Sequence, residues 1–168
     1  MAFEFEKHLD ETGWLLLQEL QQNARLSYSE LGQRVGLSSP AVADRMRKME
    51  EAGIITGYRA EVNMARLGLP VTAIIRLSSI AGQSCQRVSS QVSEIPEVLE
   101  CYRVTGSDAV VIKVAATSVD HLERIIDQVT LYGQPTTSIV LSKSMQRRVI
   151  DRAMLDHAAT EEHYTMTE

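Results

Sequence analysis

The sequence predicts an α+β chain, an N-terminal winged helix-turn-helix followed by a ferredoxin-like βαββαβ sandwich, and three observations carry that expectation. Apolar residues recur at helical spacing up to Met49, with glycine stops at Gly36 and Gly53. After Asn63 the period shortens toward two, in segments rich in β-branched residues. Extended and helical segments then alternate in the order of a split βαβ unit. The expected divisions are residues 1–63 for the head, 64–70 for a linker, 71–142 for the sandwich and 143–168 for a C-terminal extension.

In the head, Leu16, Leu17, Leu20 and Ala24 predict a first helix over residues 10–24, with Asp10 as its N-cap. Ser27-Tyr-Ser-Glu30 has the spacing of a capping box, in which the serine hydroxyl and the glutamate carboxylate satisfy each other's backbone N–H. Leu31 and Val35 place one face of this second helix inward, and Gly36 ends it, being free to enter a left-handed turn. A third helix is expected at once, with Ser39 as N-cap and Pro40 in the first helical position. Val42, Met46 and Met49 fall on its buried face, while Asp44, Arg47, Lys48 and Glu51 project from the other side. The stretch Ile54–Asn63 reads as two short extended pieces about Thr56-Gly57, a small hairpin or wing.

In the second half, Val71, Ala73, Ile75 and Leu77 alternate along a strand, and residues 84–92 read as a helix ending near Pro96. The segments "VLECYRVTG" and "AVVIKVAA" flank Gly106-Ser107-Asp108, a hairpin signal. Ser118 caps a helix marked by Leu122, Ile125, Ile126 and Val129, and residues 136–142 form the last strand. In a βαββαβ sandwich the helices cover one face of an antiparallel sheet. The other face needs cover, and a second copy of the chain is the expected partner.

Composition narrows the function. The chain has 168 residues, 44% apolar and only 5% aromatic, which disfavours a base-stacking RNA platform. Its formal net charge of −5 rules out a global basic field, so any nucleic-acid surface must be a local patch. Residues 34–59 supply one, with Arg34, Arg45, Arg47, Lys48 and Arg59 against Asp44, Glu50 and Glu51. Cys85 and Cys101 lack metal spacing and are too few for a disulfide framework, so two free thiols in a reducing compartment are expected. The opening "MAFEFEKHLDETG" lacks the basic and apolar regions of a signal peptide, and no stretch approaches the roughly 20 apolar residues of a membrane helix. A soluble, cytoplasmic protein is expected.

No phosphate-binding loop, dinucleotide fingerprint or HExxH pair occurs, so neither an enzyme nor a cofactor is expected. His8, His121, His157 and His163 are scattered. His157 and His163, near Glu161 and Glu162, have a six-residue spacing that shares no helical face, so a solvated tail is preferred to a metal site. Met145, Val149, Arg152 and Leu155 allow a short amphipathic helix in the extension.

Two helices joined by a short glycine turn and preceded by a third form the outline of a helix-turn-helix. The tip of the third helix carries small residues, Ser38, Ser39 and Ala41, with Arg45, Arg47 and Lys48 one or two turns on. The same charges also suit a solvated surface helix with pairs such as Arg47 with Glu50 or Glu51. "LSYSELGQRVGLS" followed in register by "RMRKMEEAGIITGY" and then by a βαββαβ unit resembles the leucine-responsive regulator/asparagine regulator (Lrp/AsnC) family of prokaryotic transcription factors, from about Leu9 to Ser142.

That resemblance implies a winged helix-turn-helix reader and a C-terminal ligand-sensing domain of the type called RAM. It also implies dimers that assemble to tetramers, octamers or larger rings and respond to amino acids bound between dimers. By position Gly36 is the turn glycine, and Ser38–Lys48 covers the recognition helix. Double-stranded operator DNA is the expected partner, with Ser38, Ser39, Ala41, Asp44, Arg45 and Lys48 nearest base edges or flanking phosphates. Arg47 and Arg59 suit phosphate contacts, and Arg25 and Tyr28 anchor the backbone beside the second helix.

The effector site is expected around Gly106, Ser107, Asp108, Thr136, Thr137 and Ser138. Two departures stand out. Gly13 replaces the second aspartate of the family's Leu-Asp-x-x-Asp opening, and Ser107 and Ala109 replace both aspartates of the Gly-Asp-Tyr-Asp-Tyr turn. The second removes the natural partners of an amino acid's ammonium group. The competing reading is a small-molecule-sensing α/β module whose helical head docks a protein or packages DNA non-specifically. The net charge favours it; the serine-proline start and the Arg45–Lys48 cluster oppose it.

Overall fold

The computed structural model describes residues 9–78, 84–145 and 147–156. The histidine and glutamate tail considered as a metal site therefore lies outside the described residues. The chain divides into two compact units, one made by the chain up to Ala60 together with the segment from Met145, the other by Glu61–Ser144.

The first unit contains α1 (Glu11–Gln22), α2 (Tyr28–Val35) and α3 (Ser39–Glu51). Asp10 caps α1 by accepting the Gly13 N–H at 2.8 Å. The helix stops at Gln22, where the Asn23 N–H still reaches the Glu19 carbonyl. Ala24, expected on this helix, lies past its end and is exposed. Both halves of the capping box form at α2: the Glu30 carboxylate accepts from the Ser27 N–H at 2.8 Å, and the Ser27 hydroxyl accepts from the Glu30 N–H at 3.2 Å. Gly36 ends α2 in the left-handed region at φ 72.

The turn into α3 is tight because the Leu37 N–H bonds back to the Gly32 carbonyl at 2.8 Å. A Cβ on Gly32 would lie 2.3 Å from the Leu37 carbonyl oxygen, a backbone atom with little room to retreat. The N-cap of α3 is Ser38 rather than Ser39, one residue earlier than the sequence suggests. Ser38 is extended and its carbonyl accepts the Val42 N–H, so Pro40 occupies the second helical position, where its missing N–H is equally harmless. Leu16, Leu31, Val42, Met46 and Met49 meet in the core, flanked by Trp14 and Leu20.

The wing differs from expectation. Ile54 and Ile55 both donate to the Met49 carbonyl and close the end of α3, but no strand ladder forms over residues 54–63. Two short pieces carrying Thr56, Arg59 and Glu61 bury too little to hold a hairpin by themselves. A side chain fixes the segment instead: the Tyr58 hydroxyl donates to Glu50 Oε1 at 2.8 Å. Partial burial and then that carboxylate push the Tyr58 phenol well above its ordinary range, so it stays a proton donor.

The segment after Met145 returns to α1. Gln21 donates to the Ile150 carbonyl and accepts from the Ile150 N–H, both at 2.9 Å. Of the amphipathic helix expected between Met145 and Leu155, only residues 152–156 are helical among those described.

The second unit begins with a 3-10 turn, Met64–Leu67, capped by Asn63. It continues through β1 (Val71–Ser78), α4 (Cys85–Val92), β2 (Val98–Arg103), β3 (Asp108–Ala116), α5 (Val119–Thr130) and β4 (Gln134–Ile139). The strands form one antiparallel sheet in the order β2-β3-β1-β4. β4 starts and stops earlier than the sequence suggests, since Gln134 already pairs with Ser78. Ala73, Ile75, Leu77, Val110, Ile112 and Val114 face α4 and α5, where Val88, Val92, Leu122, Ile125 and Val129 complete the core. On the opposite sheet face lie Ile74, Arg76, Val111, Lys113, Glu100, Tyr102, Thr136 and Ser138, by register with one another.

Candidate functional site

Helix α3 owes its outward face to the period of its sequence. Val42, Met46 and Met49 turn inward and are buried, so Asp44, Arg47, Lys48 and Glu51 must project from the far side. Ser38, Ser39 and Pro40 at the tip are exposed, and Ala41 is half-buried. A tip of this kind lets a helix approach a surface closely, with exposed cations a turn behind it.

Those cations are already engaged. Lys48 Nζ is 2.6 Å from one oxygen of Asp44, and Arg47 reaches the other at 2.9 Å. The second arm of the Arg47 guanidinium lies 2.7 Å from Glu51. Hydrogen bonds from Lys48 and then Arg47 hold the Asp44 carboxyl below its usual range, and Arg47 is shifted upward in return. Arg25 and Arg59, by contrast, are exposed and make no ion pair with any described residue. Tyr28, half exposed, opens α2.

Arg45 departs furthest from the sequence expectation. Its guanidinium grips Asp10 with two parallel bonds of 2.6 and 2.7 Å, tying the middle of α3 to the start of α1. The reason is angular: Arg45 sits close to the edge of the stripe of Val42, Met46 and Met49, and so points toward the neighbouring helix. Asp10, read from the sequence only as a cap, is pulled below the usual carboxylate range, first by Arg45 and then by the Gly13 N–H. Nothing in the local pattern signals this pair, because its members lie 35 residues apart. The Tyr58–Glu50 bond was equally invisible to periodicity.

The effector candidates do not gather into one cluster within the chain. Asp108 pairs with Ser78, which pairs with Gln134, so the β2–β3 turn and the start of β4 lie in one row with β1 between them. Thr136 and Ser138 are opposite Arg76 and Ile74 on the open face, whereas Thr137 is opposite Ile75 on the helix-covered face. The strand's alternation divides these three hydroxyls between two sides. The ladder shifts register between Leu77 and Ser78, because Ala109 is an extra residue on β3. Ala109 is 5% exposed and joins the core, so no carboxylate takes the place of the family aspartate there. Gly106 and Ser107 stay exposed in the turn. On the open face, Lys113 and then Tyr102 hold the Glu100 carboxyl below its usual range, with Lys113 Nζ at 2.8 Å.

Among the described residues no helix is long and apolar enough to cross a membrane, and no group of metal-binding side chains converges. Comparison with known proteins agrees with this geometry. Residues 9–56 match the winged helix-turn-helix DNA-binding family, and residues 72–150 match the Lrp/AsnC ligand binding domain. The chain is 43% identical over 136 residues to the HTH-type transcriptional regulator YezC of Bacillus subtilis, across 81% of this chain and 96% of the relative. It is also similar to the structure of LrpC from the same organism, with TM-score 0.77 and 32% identity over 83% of this chain and 99% of that one. A transcriptional regulator of Neisseria meningitidis, solved in complex with L-methionine, gives TM-score 0.80 at 28% identity over 88% of this chain and 99% of that one. The chain therefore belongs to the Lrp/AsnC family and is a DNA-binding transcriptional regulator with a ligand-binding domain, not an enzyme.

Proposed function

We propose that the protein binds a pseudo-palindromic operator as a homodimer or larger assembly, with α3 of each protomer in a major groove, and that a free amino acid modulates it. The outward face of α3 carries the reading: a small-residue tip followed by Asp44, Arg47 and Lys48, with no described part of the chain over it. Ser38, Ser39, Ala41, Asp44 and Lys48 then lie nearest the base edges, and Arg47, Arg59, Arg25 and Tyr28 serve the phosphates. Arg45 is a positioning residue in this reading, since Asp10 holds both terminal nitrogens of its guanidinium. The open sheet face supports pairing of two copies, because Ile74 and Val111 are partly exposed apolar side chains on the face away from α4 and α5. An amino acid would meet Ser107, Asp108, Thr136 and Ser138 with few carboxylates for its ammonium, so its recognition falls on hydroxyls and backbone.

The test is capture of genomic fragments by the full chain, with and without a mixture of free amino acids, followed by anisotropy titrations on the enriched duplex. With about 6–10 phosphates neutralised per dimer, affinity should fall roughly 10³–10⁵-fold between about 50 and 200 mM salt. A flat salt response on the enriched duplex defeats the operator reading. Identical fragments and affinities with and without amino acids defeat the effector reading and leave the first intact.

A further inference from the structure

From the ion pairs of α3 we infer that Asp44 is a specificity-determining residue, an internal competitor that holds Arg47 and Lys48 away from non-specific phosphates. This rests on the proposed DNA contact through α3. Asp44 lies at the centre of the outward face and is shared, one oxygen accepting from Arg47 at 2.9 Å and the other paired with Lys48 at 2.6 Å. Glu51 takes the other arm of Arg47, and Asp10 fills Arg45, so every cation on the helix has a partner on the protein. Side chains exposed to this degree exchange partners readily, so the pairs set a threshold and not a block.

Non-specific binding is driven by cations meeting phosphates. Each phosphate contact by Arg47 or Lys48 takes a donor from the Asp44 carboxylate, which faces a polyanion with no donor once both have left. A random duplex therefore gains little. A correct site can offer that carboxylate a hydrogen-bond donor from a base edge, such as the cytosine N4 amino group in the major groove. The same residue thus penalises wrong sequences and is satisfied on the right one.

The experiment compares the full chain with Asp44→Asn, each in the parent background and in one carrying Arg47→Ala and Lys48→Ala, using random-sequence duplex and the enriched genomic duplex as probes. All three positions are exposed, and unchanged circular dichroism melting shows that the variants fold. On random duplex Asp44→Asn should bind about three- to ten-fold tighter, with a salt slope steeper by about 0.9 for each cation released. On the enriched duplex affinity should fall or stay level, so the ratio of the two affinities collapses. In the double-alanine background the gain on random duplex should vanish. An equal gain in both backgrounds means direct repulsion of phosphate and overturns the inference, as does no gain at all. If the parent chain binds neither duplex, the proposed function itself has failed, which is a separate result.

Discussion

The two units hold their elements together by different means. In the sheet unit the backbone ladder and an apolar layer do most of the joining, as in the row of Cys101, Ile112 and Ile75 that crosses three strands. In the head the three helices share a smaller core, and charged or polar ties link the elements across its surface: Asp10 to Arg45, Glu19 to Arg34 and Glu50 to Tyr58. Apolar burial responds little to moderate salt or mild acid, whereas ion pairs on the surface respond to both. The DNA-binding head therefore has the more condition-dependent construction, and the ligand-binding unit has the more robust one.

The largest effect that would sharpen this contrast is a cavity in the sheet unit. Ile112→Ala should cost about 2–5 kcal/mol, measured by urea denaturation, and the loss should hardly vary with salt or with pH from neutral to mildly acidic. A strong salt dependence would break the comparison. Next comes Gly32→Ala in the head, where the added Cβ presses on the Leu37 carbonyl; a loss of roughly 1–3 kcal/mol is expected despite alanine's better helix propensity. A stabilised variant would show that the turn into α3 can yield.

A smaller effect tests the charged tie itself. Asp10→Ala removes the cap of α1 and the partner of Arg45, and should lower the stability of the head by about 0.5–2 kcal/mol at neutral pH. Because the folded Asp10 carboxyl lies below its ordinary value of 3.8, its contribution is present above that value and is lost as pH falls through the lower folded one. The difference between parent and variant should therefore shrink below about pH 4, as followed by tryptophan fluorescence of Trp14 in the head. The smallest effect belongs to Arg47→Ala, whose exposed pairs should leave the melting temperature nearly unchanged while DNA affinity drops measurably. A clear drop in melting temperature would make Arg47 a structural residue.

Local signals explain what could be read from the chain beforehand. The capping box at Ser27–Glu30, the left-handed Gly36 and the inward stripe of Val42, Met46 and Met49 each depend on residues within one or two turns of each other, and all three stand in the structure. The succession of strands and helices along the sheet unit followed from alternation and helical spacing for the same reason. What escaped depends on neighbours that only the fold supplies. Arg45 has the spacing of a groove-facing side chain until α1 brings Asp10 to it. Thr136, Thr137 and Ser138 read as one hydroxyl group until the ladder sends them to two faces. The wing looked like a hairpin because its turn residues were right, but turn chemistry without burial does not pair strands.

The return of the C-terminal segment to α1 affects how the protein is made. Gln21 leaves the ribosome early, and its backbone partner at Ile150 is translated only after the whole sheet unit has been synthesised. The unit that begins first is thus the last to acquire all its contacts, and a fragment ending at the linker would present α1 with one of its hydrogen-bonding positions turned to water.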